Sequence, residues 1–198
     1  MNRSDFSRAL HALKNGEVII YPTDTLYALG ADIYNEEAVR RVFEIKHRPF
    51  SIPLPVAVDS KKSIEALAML NKNARNIIDR FLPGSLTVLL RKKESVPMVV
   101  TGGSETIAIR IPNQRIALRL LREYGPLTVT SANLHHEKTP GVIKDILMQL
   151  QTDIPVAFDV GRLDASPSTI VDLTTEKPCV VRSGIITEQE LLDAITDG

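Results

Sequence analysis

Short β-prone runs are scattered among amphipathic helical runs along this chain, and the two kinds do not alternate strictly. That mixture limits the fold more than any other feature. It excludes an all-helical bundle and an all-β sandwich, and it lacks the regular order of a doubly wound parallel sheet. The expectation is one α/β (α+β mixed) domain over residues 1–198, built on a mixed β-sheet with flanking helices. At 198 residues, 43% of them hydrophobic, the chain can bury a core without disulfide or metal staples.

The pattern predicts the elements in order. Phe6, Ala9, Leu10 and Leu13 fall at helical spacing between a candidate cap at Ser4 and Asn15-Gly16. Glu17 to Tyr21 reads as a strand stopped by Pro22. Asn35 can cap a helix that buries Ala38, Val39, Val42 and Phe43 and ends near Lys46, because Pro49 disfavours helix at Arg48. Leu54 to Val58, Leu86 to Arg91, Thr106 to Ile111, Leu127 to Thr130, Pro155 to Asp159, Thr169 to Leu173 and Cys179 to Arg182 are strand-like. Lys61 to Leu70, Asn73 to Phe81, Ile116 to Tyr124 and Ile143 to Leu150 are helical. Thr187-Glu188-Gln189-Glu190 has capping-box spacing and opens a last helix through Ile195. Pro97 to Glu105 and Leu163 to Pro167 are the candidates for mobile loops.

Charge and cysteine content remove several function classes. The 24 basic and 24 acidic residues balance, which argues against a dedicated nucleic-acid coat. A single cysteine permits neither an internal disulfide nor a cysteine zinc site. That residue, Cys179, sits in the apolar run Pro178-Cys179-Val180-Val181 and is expected to be a small buried strand residue. There is no apolar h-region at the N-terminus and no run of membrane-spanning length, so the expectation is a cytoplasmic protein. The phosphate-loop, dinucleotide-fold and serine-hydrolase signatures are absent.

What remains is equipment for holding a polyanion. Tyr21-Pro22-Thr23-Asp24-Thr25, Lys46-His47-Arg48-Pro49 and Ser131-Ala132-Asn133 each fall where regular structure gives way to a loop. In extended backbone, Lys46 and Arg48 share a side and can address one phosphate, as a point charge and a fork. Equally, they can be the solvated basic end of a helix. Arg110 shares a strand face with Thr106 and Ala108, opposite Ile107, Ile109 and Ile111. It suits capture of a carboxylate, or it is a surface arginine on a half-exposed sheet. Ser131 and Asn133 at a strand end are ligand contacts or turn formers. His135 and His136 point apart in extended chain and lack partners for a metal site, so they are read as surface histidines.

Seven blocks together resemble the YrdC-like threonylcarbamoyl-AMP synthases in order and spacing: Tyr21 to Gly30, Lys46 to Pro49, Pro83 to Thr87, Thr106 to Pro112, Ser131 to Asn133, Pro167 to Ile170, and Val180 to Gly184. The resemblance is to the short, single-domain form. It implies a twisted mixed sheet around a large concave cavity, and a reaction joining L-threonine, bicarbonate and ATP into threonylcarbamoyl-AMP and pyrophosphate. Mg2+ would accompany the ATP, with no metal held by the chain's own residues. The product would serve threonylcarbamoyladenosine formation in tRNA through a separate transferase.

By position, the resemblance assigns Lys46, Arg48, Ser131 and Asn133 to the phosphates, and Thr106, Thr139 and Arg182 to further ATP contacts. It assigns Thr25, Arg110, Val129 and Ser168 to threonine. Asp24, Ala28, Ile52 and Ala57 depart from residues common in relatives. Two other classes stay open: an RNA-binding module of the same fold without synthase activity, and a lyase acting on a sugar phosphate. The lyase needs clustered acidic metal ligands, where the motifs offer only Asp24.

Overall fold

The computed structural model describes residues 3–164, 167–175 and 177–196. From the N-terminus run α1 (Arg3–Lys14), β1 (Ile19–Pro22), β2 (Tyr27–Gly30), α2 (Glu36–Lys46), β3 (Val56–Ala57), α3 (Lys61–Leu67), β4 (Ala68–Met69), α4 (Lys72–Phe81) and β5 (Leu86–Lys92). There follow α5 (Met98–Thr101), β6 (Thr106–Arg110), α6 (Arg115–Glu123), β7 (Leu127–Thr128), β8 (Thr130–Ser131), α7 (Ile143–Leu150), β9 (Thr169–Asp172), β10 (Cys179–Arg182) and α8 (Glu188–Thr196).

The strands form two sheets. The small one has the order β1-β2-β8 and is antiparallel. The large one has the order β10-β9-β5-β6-β3-β7, with β4 also paired to β5. It is mixed: β5–β9 and β3–β6 are parallel, whereas β5–β6, β3–β7 and β9–β10 are antiparallel. The expected mixed sheet is present, divided in two. A single extended run makes the division. Thr128 belongs to the large sheet and Thr130 to the small one, and Val129 between them donates its N–H to Pro55 O at 2.8 Å.

Alternation along the strands decides where the core lies. Val88, Leu90, Ile107 and Ile109 are buried with Val39, Val42 and Phe43 of α2 and Ile77 and Ile78 of α4. A second cluster joins Phe6 and Leu13 of α1, Ile19 and Tyr21 of β1, and Leu120 of α6. Each fully buried side chain of this size contributes about 1.5–3 kcal/mol. With one face of the large sheet covered by helices, the positions between the core residues of β5 and β6 are left to face something else.

Several expectations need correction. Tyr27–Gly30 is a strand inside a block read only as a motif. The helix predicted to Leu70 stops at Leu67, where the chain turns extended to pair with β5. Pro155 to Asp159 forms only a single parallel bridge, Ile20 to Ala157. Pro97 to Glu105 holds a short helix closed by Gly102 at φ 57°. In Leu163 to Pro167, residues 165–166 lie outside those described. Ser4 lies inside α1 rather than ahead of it. Cys179 is exposed, not buried, because β10 is an edge strand paired on one side only. No helix among the described residues is long and apolar enough to cross a membrane.

Cap chemistry at α4 gives a direct test. Asn71 Oδ1 accepts the Ala74 N–H at 2.7 Å, and its Nδ2 donates to Leu173 O and Thr175 O, tying α4 to the chain after β9. Asn71→Ala is expected to cost about 1–2 kcal/mol, the upper part of the range for a lost cap. Urea unfolding of the two proteins measures it.

Candidate active site

The uncovered face of the large sheet, the end of α2 and the Val129 crossing enclose a cavity of about 620 Å3. That volume suits a small-molecule site. Of the residues expected at a site, Thr25, Arg48, Arg110, Val129, Ser131, Thr139, Ser168 and Arg182 line it. Lys46 and Asn133 do not; they lie behind Ser131. Thr106 is also outside the lining, at the far end of β6, where its hydroxyl meets Ser104 Oγ at 2.9 Å.

Lys46 is not a solvated helix end. It is 2% exposed, and its ammonium donates to Ser131 O at 2.5 Å, Asn133 O at 2.7 Å and Asn133 Oδ1 at 3.3 Å. Burial, then the nearby Arg48 cation, pushes its pKa down to about 7. The three oxygens favour the charged form, since a neutral amine has only two N–H to give. The expectation that Pro49 puts Lys46 and Arg48 on one side of an extended backbone does not hold. The helix runs through Lys46, and His47 turns the chain in the left-handed region at φ 50°.

Asn133 is saturated as well. Its Oδ1 accepts Ser131 Oγ and Lys46, while its Nδ2 donates to Leu134 O and Glu137 O. Of these four residues, Arg48 and Ser131 meet the cavity directly. The two histidines were expected to point apart. Instead their rings lie 3.9 Å apart, because His136 takes a left-handed φ of 69°.

The arginines differ in what holds them. Arg48 Nε and Nη2 donate to Ile52 O and Pro53 O. Arg182 Nε and Nη2 donate to Ser168 O, and Nη2 also to Ser168 Oγ. Both are held by neutral oxygens, so among the described residues their charge is uncompensated. Burial lowers the pKa of each, with Arg110 adding to the effect at Arg182. Arg110 is 4% exposed, which excludes the surface alternative. Its Nη2 donates to Asp24 Oδ1 at 2.8 Å and to Gly84 O, and its Nη1 to Thr25 Oγ1 at 3.0 Å. Nε is buried and has no hydrogen-bond partner among the described residues. The full fork is therefore not open to a ligand, because Asp24 already occupies part of it.

Reading the sequence alone missed Asp24 as an ion-pair partner and Ser85, which donates to Asp24 Oδ2 at 2.9 Å. It also missed Thr87, whose hydroxyl lies 2.9 Å from Ser168 Oγ in the cavity wall. The signal for Thr87 was its place between the core residues Leu86 and Val88. Only strand pairing shows which site residues it joins. Among the described residues no three of His, Cys, Asp or Glu gather in one place, and the cavity lining has no carboxylate. The donor set does not fit a magnesium ion held by the chain.

These features define a nucleotide-sized cavity with two uncompensated cations and a polar end around Arg110. The chain matches the family described as telomere recombination (Sua5_yciO_yrdC) over residues 11–184, and it belongs to that Sua5/YciO/YrdC family. It is 38% identical over 196 residues to a putative threonylcarbamoyl-AMP synthase of Methanocaldococcus jannaschii, covering 96% of this chain and 93% of that protein. It is 35% identical over 182 residues to the threonylcarbamoyl-AMP synthase of Pyrococcus abyssi, covering 90% of this chain and 54% of the longer relative. The structure of P. abyssi Sua5 complexed with L-threonine superposes with a TM-score of 0.93 at 33% identity, over 98% of this chain and 58% of that one. Escherichia coli YciO superposes at 0.88 with 27% identity, over 96% and 94%. The mixed α/β architecture is that of these neighbours.

Arg182 depends on one close approach. A Cβ at Gly184 would meet Thr169 N, Pro167 O at 2.6 Å and Ser168 C at 2.6 Å. These are backbone atoms, so the chain itself would have to move. Gly184→Ala is expected to cost about 1–3 kcal/mol and to pull Arg182 away from Ser168 O. The checks are the melting temperature and loss of the Arg182 side-chain contacts in a structure of the variant.

Proposed function

We propose that this protein is an L-threonylcarbamoyladenylate synthase. The observation that carries the reading is the pairing, in one cavity, of Arg48 and Arg182, which no carboxylate among the described residues neutralises, with the Arg110–Thr25 end. The first two suit the phosphates of ATP, and the other end suits an amino acid. The names of the relatives support the same activity.

The reaction proceeds in two bond-forming steps. The amino nitrogen of L-threonine adds to the carbon of bicarbonate, and loss of water gives the N-carboxy anion. A carboxylate oxygen of that group then attacks the α-phosphorus, and the bond from α-phosphorus to the bridging oxygen breaks to release pyrophosphate. Arg48, with Ser131 beside it, holds the phosphates against charge repulsion and offsets the charge gathering on the leaving group. Lys46 and Asn133 hold the Ser131 turn from behind. Thr139 and Arg182 bound the nucleotide side. Thr25, Arg110, Val129 and Ser168 form the threonine end. Magnesium, where used, arrives on the ATP phosphates and not on protein ligands. The reaction belongs in the cytoplasm, where a tRNA threonylcarbamoyl transferase would consume the product. The carboxylate-free lining does not support a metal-dependent lyase, and the balance of 24 basic and 24 acidic residues does not favour an RNA-binding module.

Pyrophosphate release is the first check. ATP is expected to yield pyrophosphate only when L-threonine and bicarbonate are both present. ADP and phosphate as products would mean attack at the γ-phosphorus and would overturn the reading. Arg48→Ala is expected to lower turnover about 10²- to 10³-fold, the scale for losing a charge-stabilising donor.

Lys46 gives a second check through pH. In the free protein its pKa lies near 7, below the ordinary lysine value. A triphosphate nearby favours the charged form and raises that pKa. Binding at pH 8 should therefore take up a proton, and ATP affinity should fall as pH rises above 7. Calorimetry at pH 8 in buffers of different ionisation heat is expected to show the uptake in the wild type and its loss in Lys46→Met.

A further inference from the structure

Thr87 lines the cavity wall beside the residues of the amino acid end. It is 3% exposed and lies in β5, where Leu86, Val88 and Leu90 turn into the core. Thr87 and Leu89 therefore face the cavity. Val88 pairs with Ile109 of β6, so the next residue along places Thr87 beside Arg110. On its other side β9 runs parallel, and the Thr87 hydroxyl meets Ser168 Oγ at 2.9 Å. Thr87 thus bridges Arg110 and Ser168 across three strands.

Counting hydroxyl protons shows what each group can offer. Thr23 gives its proton to Leu26 O at 2.8 Å. Thr23 Oγ1 also accepts from the Thr25 and Leu26 N–H groups, and Thr25 Oγ1, 3.0 Å from it, accepts from Arg110 Nη1. Thr25 keeps a lone pair for a ligand. The Thr87–Ser168 pair is the reverse. Two hydroxyls hold two protons, and one contact between them uses one. Ser168 Oγ already accepts from Arg182 Nη2 at 3.2 Å, which favours Ser168 as donor to Thr87. Neither hydroxyl has another acceptor among the described residues. One proton is left over, on the strand position that neighbours Arg110.

We propose that Thr87 is a substrate-binding residue whose hydroxyl donates to the carboxylate of the amino acid, with Thr25 accepting from the amino group. The inference rests on the threonine end of the reading above. It makes the donor side of the site match the anionic end of a zwitterion and the acceptor side match its cationic end. Because the carboxylate is common to all α-amino acids, Thr87 sets affinity for the class, not the choice among side chains.

The test is calorimetric titration of the full chain with L-threonine, L-serine and L-2-aminobutyrate, in wild type, Thr87→Val and Thr87→Ser. Valine keeps the shape and removes the hydroxyl. Thr87→Val is expected to weaken all three ligands by the same factor, about 10- to 100-fold, the scale of one hydrogen bond to a charged group. Thr87→Ser should restore binding to within a few-fold, and the KM for ATP should stay unchanged. Unaltered threonine affinity in a folded Thr87→Val overturns the inference, as does a loss confined to the two hydroxyl-bearing ligands. Should Thr87→Val not fold, methyl NMR of the wild type decides: the Thr87 methyl must shift on adding threonine, and no shift overturns the inference. Wild-type protein that binds no threonine, or releases no pyrophosphate, would instead sink the synthase reading itself.

Discussion

A buried ammonium holds the site wall in place. Lys46 ends α2, and its three N–H bonds all go to oxygens of Ser131 and Asn133. Its own carbonyl accepts the N–H of His135 at 2.7 Å. Side chain and main chain thus fix the same turn from both sides. Taking an ammonium out of water costs several kcal/mol, and each charge-assisted bond returns about 1.5–3 kcal/mol. Such a group is stable only while all three acceptors stay in position. That requirement ties the end of α2 to β8, and through them sets Arg48 and Ser131 on one side of the cavity.

The three cavity arginines divide by how they are held. Carbonyl oxygens fix Arg48 and Arg182 in direction but leave their charge intact, so the cavity keeps a net pull on anions. Asp24 fixes Arg110 and also cancels its charge. The same Asp24 accepts from Ser85 and from the Asn113 backbone, so it joins the loop after β1 to the ends of two other segments. Arg110 acts there as part of a network with a few N–H left over, where Arg48 and Arg182 act as charges.

Much of this was legible in the chain. Apolar spacing placed α2, α4, α6, α7 and α8, and the Thr187–Glu190 capping box closes as written, with Thr187 N and Oγ1 both donating to Glu190 Oε2. Period-2 alternation told the core face of β6 from the face that carries Arg110. Pairing was not legible. Leu127 to Ser131 reads as one strand, yet it changes sheets at Val129, because its hydrogen-bond partners come from residues far away in the chain. For the same reason the depth of Lys46 was hidden. A lysine at a helix end looks solvated until the turn from Ser131 to Asn133 is folded over it. The edge position of Cys179 is likewise a fact of topology that its apolar neighbours could not reveal.

Substitutions at the arginines will not read alike. Removing Arg110 leaves Asp24, whose side chain is 13% exposed, without its cation. Breaking a buried pair from one side costs about 3–5 kcal/mol, so an Arg110 variant mixes lost folding with lost binding. Arg182 lies on an exposed edge strand, and removing it strips only neutral acceptors at Ser168. Arg48 is intermediate, since its carbonyl partners sit in the chain just after it. The cleanest view of what charge does in this cavity therefore comes from Arg182 and Arg48. The view of the amino acid end comes from groups that can lose a hydroxyl without stranding a charge, as Thr87 can.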